Sequence, residues 1–410
     1  GHFVHHNGGD ISQRYLVSDK RKLGEGGRAV VVEGTSLSTG ISCAIKVASK
    51  AKASQDFAGV GFEVNMMSKL DHPNIGKLYE TFEDEENMHL VLELCRGGEM
   101  LHCAERWHGF VEREAQILMQ QVLRAVRYMH KAQVRHGDLI PGNILMLNTE
   151  RPEHNTVKIV DFGGLQKGET AMDDIASCGS VMSILLSKVP PLHSAARSDA
   201  STKGPPPVFN SVGIQVHVSK RGRSLLAQLQ STDAKRKLTA GQALGHDWLK
   251  KLNPYYVLGE EGCLPPELNG RLSAFPTHSA LKKAVLMILA DQADCEAVVA
   301  ARRIFSLLDV NQDGFVCSHD LRKVMKKAKP GPIHDVVKLL REVDLDGMGV
   351  VDFTVLVAMS MDPEHCLTDE ALRFAFSFFD REQKGKVQLG SIQAIISRGL
   401  ARDERTADAV

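Results

Sequence analysis

The sequence predicts an α+β chain in two parts, a mixed body of two lobes followed by an all-helical region, and three observations carry that prediction. Runs rich in β-branched residues, AVVVEGTS and ISCAIKVAS, follow one another across glycine-punctuated turns near the N-terminus, as strands of one sheet do. After about residue 95 the apolar pattern becomes helical. Near the C-terminus three acidic stretches begin at Asp309, Asp344 and Asp380, 35 and 36 residues apart, each behind an apolar-periodic helix.

Composition sets outer limits. The 410 residues are 43% apolar and 24% charged, an ordinary globular balance that argues against a disordered or membrane chain and leaves room for roughly two to four domains. Fifty basic side chains match 50 acidic ones, so no net field points to nucleic acid; the run Lys235, Arg236, Lys237 reads as a solvated face. Eight cysteines without CxxC spacing argue for reduced thiols and a cytoplasmic setting. No apolar run approaches the about 18 residues of a spanning helix. The chain begins at Gly1, so a lipidation signal is unreadable, and His2, His5 and His6 read as a flexible terminus before they read as a metal site.

From Leu23 the chain reads LGEGGRAVVVEG, a glycine-rich turn between two β-prone runs. Glycines there let backbone N–H groups close on phosphates with no side chain in the way, although a plain hairpin turn looks the same. Lys46 closes the next strand, and Glu63 follows 17 residues later on an amphipathic helix, where an ion pair would aim the lysine at α- and β-phosphates. NMHLVLELCRGGEM is an apolar strand running into a glycine-containing linker, the pattern of a hinge that offers backbone hydrogen bonds to adenine. Then comes HGDLIPGN at His136 and, 18 residues after Asn143, Asp161, Phe162 and Gly163. Asp138 is placed to orient or deprotonate a hydroxyl; Asn143 and Asp161 are placed to hold Mg²⁺ on nucleotide phosphates. Five motifs in this order resemble the protein-kinase family. MDDIASCGSVMSILLSKVPPL then resembles that family's long buried helix, with Asp174 as its first aspartate. HSAARSDASTKGPPPVFNSV from His193 reads as loop, and RSLLAQLQSTDAKRKLTAGQALGHDWLKKL resembles the last kinase helices, with Trp248 a buried anchor.

After Pro254 a loop-like stretch reaches Pro276. SALKKAVLMILADQA then puts Leu281, Val285, Ile288 and Leu289 on one face, with Lys282 and Lys283 beside the first contact, the shape of a calmodulin-target helix or of a core helix in the region that follows. The stretches DVNQDGFVCSHD, DLDGMGVVDFTV and DREQKGKVQLGS have glycine at their sixth position and valine at their eighth, and read as EF-hand loops. In the first, Asp309, Asn311, Asp313, the Phe315 carbonyl and Asp320 supply oxygens for Ca²⁺. Aspartate in place of glutamate at position twelve reaches less easily for bidentate contact and predicts weakened binding. The second keeps Asp344, Asp346 and Asp352 but has Met348 and Val355 at ligand positions; the third has Lys384 at five and Ser391 at twelve. Calcium is expected in the first alone. No fourth loop follows, so the third unit must pack on something other than a partner loop.

With these EF-hands behind LDHPNIGKLYETFED, the chain resembles the calcium-dependent protein kinases of plants and protists over roughly residues 15 to 400. The resemblance implies a two-lobed kinase fold over 15–252 with the small lobe ending near 95. A junction over 253–290 and an all-α, calmodulin-like EF-hand domain over 291–410 would follow, with loops at 309–320, 344–355 and 380–391. It implies a serine/threonine kinase that moves the ATP γ-phosphate to protein hydroxyls with Mg²⁺ and under Ca²⁺ control, acting on a protein substrate or partner. Lys46, Glu63 and Asp138 would form its catalytic set. Nucleotide contacts would come from Leu23, Gly24, Gly26, Val31, Ala44, Lys46, Glu93, Cys95, Glu99 and Leu145. The junction helix would block the kinase at low calcium and be captured by the EF-hand domain at high calcium.

Departures from that family concern the acceptor side. Gly137 replaces the arginine of the family's HRD triplet, and Ala29 the third glycine of the phosphate loop. Ile140 stands where the family carries a lysine touching the transferred phosphate. It can neither donate a hydrogen bond nor neutralise charge, a loss on the order of a hundredfold in rate. Asp174 follows Asp161 by 13 positions with no A-P-E triplet between, so the activation and peptide-docking segment is missing, through deletion or because a loop was left out of the sequence. Lys237 stands where an arginine pairs with that segment's glutamate. A second reading therefore stays open, a nucleotide-binding pseudokinase scaffold with a calcium-responsive EF-hand domain.

Overall fold

A computed structural model describes residues 4–25, 29–50, 57–162, 174–187, 218–231, 233, 237–250, 252, 266–291, 296–317, 319–320, 322–323, 350–380 and 385–387. Gly26, Gly163, the 193–212 loop, Lys235, Arg236, positions 344–349 of the second loop, and Lys384 and Ser391 of the third lie outside the described residues. Contacts divide the chain into two units, one of residues 1–72, 77–94 and 254–410, the other of residues 73–76 and 95–253.

The first unit opens with strands β1 (His5–Gly8), β2 (Tyr15–Glu25), β3 (Ala29–Ser36) and β4 (Ser42–Ser49), helix α1 (Phe57–Met67), then β5 (Leu78–Glu83) and β6 (Asn87–Leu92). They form one six-stranded sheet in the order β1-β5-β6-β4-β3-β2. Its pairs are antiparallel except β1 with β5. Ile45 and Val91, paired across β4 and β6, have no exposed surface, and Tyr15 meets Phe82 edge to face beside them. The N-terminus corrects the expectation of a flexible end. His5–Gly8 extends the sheet: Asn7 Nδ2 donates to Glu80 Oε2 at 2.9 Å, and His6 Nδ1 bonds Thr81 Oγ1 at 2.8 Å. Glu80 is buried, and a buried carboxylate requires donors; Asn7, Arg14 and the Tyr15 hydroxyl supply them.

The second unit holds β7 (Gly98–Glu99), α2 (Met100–Arg106), α3 (Glu112–Lys131), β8 (Ile144–Met146), β9 (Val157–Ile159), α4 (Asp174–Leu186), α5 (Lys220–Leu229) and α6 (Ala240–Leu244). Apolar residues at helical spacing on α3, among them Leu118, Val122, Ala125 and Met129, are wholly buried. Glu114 accepts the Val111 N–H at the start of α3, and His130 and Lys131 face the negative end of its dipole. Trp248 is 1% exposed; its indole donates to Glu112 Oε1 at 2.7 Å, and Glu112 also accepts from Ser219, which caps α5. Gly222 leaves room for this cluster, since a Cβ there would lie 2.7 Å from Val218 Cγ1 and 2.9 Å from Glu112 Oε1.

The remainder of the first unit is helical: α7 (Pro266–Ala274), α8 (Ala280–Asp291), α9 (Glu296–Leu308), β10 (Val316–Cys317), β11 (Val350–Val351), α10 (Phe353–Ser360), α11 (Pro363–Cys366) and α12 (Asp369–Phe379). Val316 and Val351, eighth in their loops, pair across β10 and β11. Residues of α8, α9, α10 and α12 share one core, and Val387, eighth in the third loop, packs against it. The expected single face of α8 needs correction. Leu281 is 48% exposed, whereas Ala284 and every residue from Leu286 to Ala290 are buried, because helices cover the C-terminal half of α8 on more than one side. Among the described residues no helix is long and apolar enough to cross a membrane.

Candidate active site and calcium loop

On the small-lobe sheet, Lys46 sits in β4 between Val31 of β3 and Leu90 of β6. Its Nζ lies 2.8 and 2.9 Å from the two carboxylate oxygens of Glu63 on α1. With 16% and 3% of their side chains exposed, both groups are largely withdrawn from water, and a charge-assisted pair of this kind holds the ammonium in one place. Leu23 and Gly24 lie near the end of β2, Val31 on β3, and Ala44 two residues before Lys46. Glu93 follows β6; its N–H donates to the Lys77 carbonyl at 3.0 Å, and its carboxylate accepts the Lys77 N–H at 3.3 Å. An open-sided cavity of about 790 Å³ lies at the sheet edge beside Asn7, Lys50, Thr81 and Asp84, and none of the expected nucleotide residues lines it.

In the second unit the segment His136–Asn143 is held from below by Asp174. That carboxylate accepts the backbone N–H groups of His136 (3.2 Å) and Gly137 (3.0 Å) and lies 2.7 Å from His130 Nε2. Burial pushes the Asp174 carboxyl up, but the bonds from His130, Gly137 and His136 outweigh it and hold it below the usual range. His136 is buried against Phe162, ring centroids 4.9 Å apart, with Nε2 3.0 Å from the Val160 carbonyl; burial lowers its pKa and keeps it neutral. Asn143 Nδ2 donates to the Asp138 carbonyl at 2.8 Å, and the Val160 N–H donates to the Asn143 carbonyl at 3.0 Å, which ties the loop to the residues before Asp161. Burial raises the Asp138 pKa above its ordinary carboxyl value. Asp161 adopts a left-handed backbone, φ 66°, uncommon outside glycine, and stands exposed beside the buried Phe162. Ile140 presents its apolar side chain 41% exposed. Glu99 pairs with Leu145 across β7 and β8, and its Oε2 is 3.8 Å from where a Cβ at Gly142 would be. Cys95 precedes β7 and is half-buried.

The first calcium loop is folded on its own N–H groups. Asp309 accepts from Asp313 and Gly314 (both 2.9 Å), Asn311 Oδ1 from Asp313 (2.9 Å), and Asp313 from Phe315 (3.0 Å). Gln312 and Gly314, at positions four and six, have φ of 60° and 82°, the turn that the sixth-position glycine permits. Asp309, Asp313 and Asp320 are all buried. Three buried carboxylates with carbonyl and amide oxygens beside them fit a hard divalent cation. Asp320 also accepts from the Cys317 N–H (3.2 Å) and thiol (2.8 Å). No three acidic, imidazole or thiol groups among the described residues already converge at metal distance. In the third loop Asp380 Oδ2 accepts the Gly385 N–H at 2.6 Å, the same first-to-sixth bond. Val355, twelfth in the second loop, belongs to the helical core.

Sequence reasoning missed His130, which has no motif of its own six residues before His136, and it gave no role to Asp71 or Lys77.

Residues 17–171 match a protein kinase domain and residues 299–361 an EF-hand domain pair, which defines the class as a kinase fold joined to calcium-binding helices. Calcium-dependent protein kinase 7 of Arabidopsis thaliana is 30% identical over 96% of this chain and 77% of its own length. Calcium-dependent protein kinase 20 of Oryza sativa subsp. japonica is 30% identical over 98% and 77%, and calcium-dependent protein kinase 5 of Plasmodium falciparum 28% identical over 95% and 72%. The chain belongs to the calcium-dependent protein kinase family.

Proposed function

We propose that this chain is a calcium-regulated serine/threonine kinase in which Lys46 and Glu63 anchor nucleotide phosphates, Asp138 orients or deprotonates the acceptor hydroxyl, and Asn143 and Asp161 hold Mg²⁺. The observation that carries the reading is the two-point pair of Lys46 with Glu63, a largely buried cation fixed on the sheet by both oxygens of one carboxylate. MgATP supplies the phosphoryl group. The raised Asp138 pKa supports a base at that position, and the Asp138–Asn143 bond keeps its loop in one shape. Leu23, Gly24, Gly26, Val31, Ala44, Glu93, Cys95, Glu99 and Leu145 complete the nucleotide contacts in this reading. Calcium control rests on Asp309, Asn311, Asp313, Phe315 and Asp320. The core that α8 shares with α9 and α10 supports capture of the junction helix by the EF-hand domain.

The second reading, a nucleotide-binding scaffold, is favoured by one observation: the exposed Ile140 supplies no charge where phosphate passes. Transfer of the γ-phosphate to a basic peptide, with calcium and with chelator, decides between them against an Asp161→Ala control. Calcium-stimulated transfer above that control is expected; transfer equal to it leaves the scaffold.

A further inference from the structure

The six-stranded sheet ends in two unlike edges. At one, β2 is blunted: its pairing with β3 shifts register between Val17 and Lys22 and again between Lys22 and Gly24, and Lys22 is exposed there beside Glu25. Register breaks and edge lysines of this kind keep another strand from adding. At the other edge β1 runs in unbroken register beside β5, from His5 opposite Glu80 to Gly8 opposite Glu83, and has no second neighbour among the described residues. The strand itself, HHNG, contains no lysine, proline or bulge.

The Gly9 N–H donates to the Glu83 carbonyl at 3.0 Å. Backbone groups alternate in direction along a strand, so Asn7 turns its own toward β5 as Gly9 does, and His6 and Gly8 turn theirs out of the sheet. A Cβ at Gly8 or Gly9 would meet no atom within 4 Å, so the outward amide of Gly8 opens on bare space. That space is the sheet-edge cavity of about 790 Å³.

Its walls give the missing neighbour a chemistry. Asp10, Glu83, Asp84 and Glu85 line it with one ammonium among them, that of Lys50, which is already engaged by Glu83 Oε1 (2.8 Å) and the Asp84 carbonyl (2.6 Å). Bonds from Ser12 hold the Asp10 carboxyl below the usual range. Burial pushes the Asp84 carboxyl up, but bonds from His89, Asn87 and Glu86 more than offset it, so both groups are ionised at neutral pH. A second copy of this chain would bring the same acidic rim to the contact and oppose it by like charge. A basic segment answers both the free edge and the charge.

We propose that the outer edge of β1 is a docking site for an extended, lysine- or arginine-rich segment of a partner protein, which adds to the sheet as a further strand through the backbone of His6 and Gly8 and lays its cations along Asp10, Glu83 and Glu85.

The test uses the full chain with a fluorescent peptide that alternates lysine with valine, beside one that alternates glutamate with valine. Anisotropy is read for the wild type, Gly8→Pro and the double charge reversal Asp10→Lys/Glu85→Lys. The lysine peptide binds the wild type and the glutamate peptide does not. Gly8→Pro removes the outward N–H and weakens the lysine peptide at least about tenfold; the charge reversal, which leaves the backbone of β1 untouched, also weakens it about tenfold. Bound lysine peptide slows amide hydrogen exchange over residues 5–10. Failure of the wild type to bind, equal binding of the two peptides, equal binding by wild type and charge reversal, or protection confined to other segments overturns the proposal. A wild-type dimer in analytical ultracentrifugation that Gly8→Pro dissolves gives the edge to a second copy and overturns the basic segment.

Discussion

The small lobe and the loop His136–Asn143 contain the two halves of a kinase's chemistry, and the chain has treated them differently. In the small lobe the ammonium of Lys46 is bonded to both oxygens of a carboxylate that is 3% exposed. The loop keeps His136, Asp138 and Asn143 and the Asp174 support beneath them, yet presents Gly137 and the apolar Ile140 where the family presents cations. In the function proposed above, one half would hold the bound phosphates and the other would answer the charge that develops as phosphate moves. The difference teaches that holding a nucleotide and transferring its phosphate are separable demands on this fold, met by different residues and open to loss one at a time.

Four substitutions break or sharpen that comparison. The largest effect belongs to Lys46→Met, which lowers peptide phosphorylation by about a thousandfold by removing a fixed cation from the phosphates, read as label transfer at saturating peptide. Gly222→Ala comes next. Its Cβ intrudes on Val218 and on the Glu112 that serves Trp248 and Ser219, and urea unfolding should show a loss of about 2 kcal/mol. Asp320→Glu restores the longer carboxylate at position twelve and tightens calcium binding about tenfold by calorimetry, without affecting nucleotide affinity in chelator. The smallest effect is one of pH. Asp174 has a folded pKa below its ordinary 3.8, so its bonds to His130, His136 and Gly137 stabilise the fold fully above 3.8 and are lost as pH falls through the folded value. Asp174→Asn therefore shows a flatter decline in stability than wild type on the acid side of 3.8, measured by urea midpoints across that range.

Much of this was legible before any coordinates, for identifiable reasons. Lys46 and Glu63 could be paired because the strand that Lys46 closes and the amphipathic helix that carries Glu63 follow the kinase motif order, and the EF-hand turns could be placed because glycine takes the sixth position most easily. What stayed hidden was long-range. Nothing local marks His130 as the partner of Asp174, or Lys77 as the partner of Asp291, because each pair meets across 44 and 214 residues through tertiary packing. The strand at His5–Gly8 was missed because its stability comes from the buried Glu80 and from β5, not from its own propensity. The burial of α8 was underestimated for a related reason: periodicity reports one apolar face, and this helix is covered on several.

The separation of nucleotide holding from phosphate transfer is tested most directly by single-turnover kinetics of wild type and Ile140→Lys across a range of MgATP concentrations in calcium. The account predicts that the variant's transfer rate rises by about a hundredfold while the half-saturating MgATP concentration stays the same. A variant whose MgATP affinity changes while its transfer rate does not would contradict it.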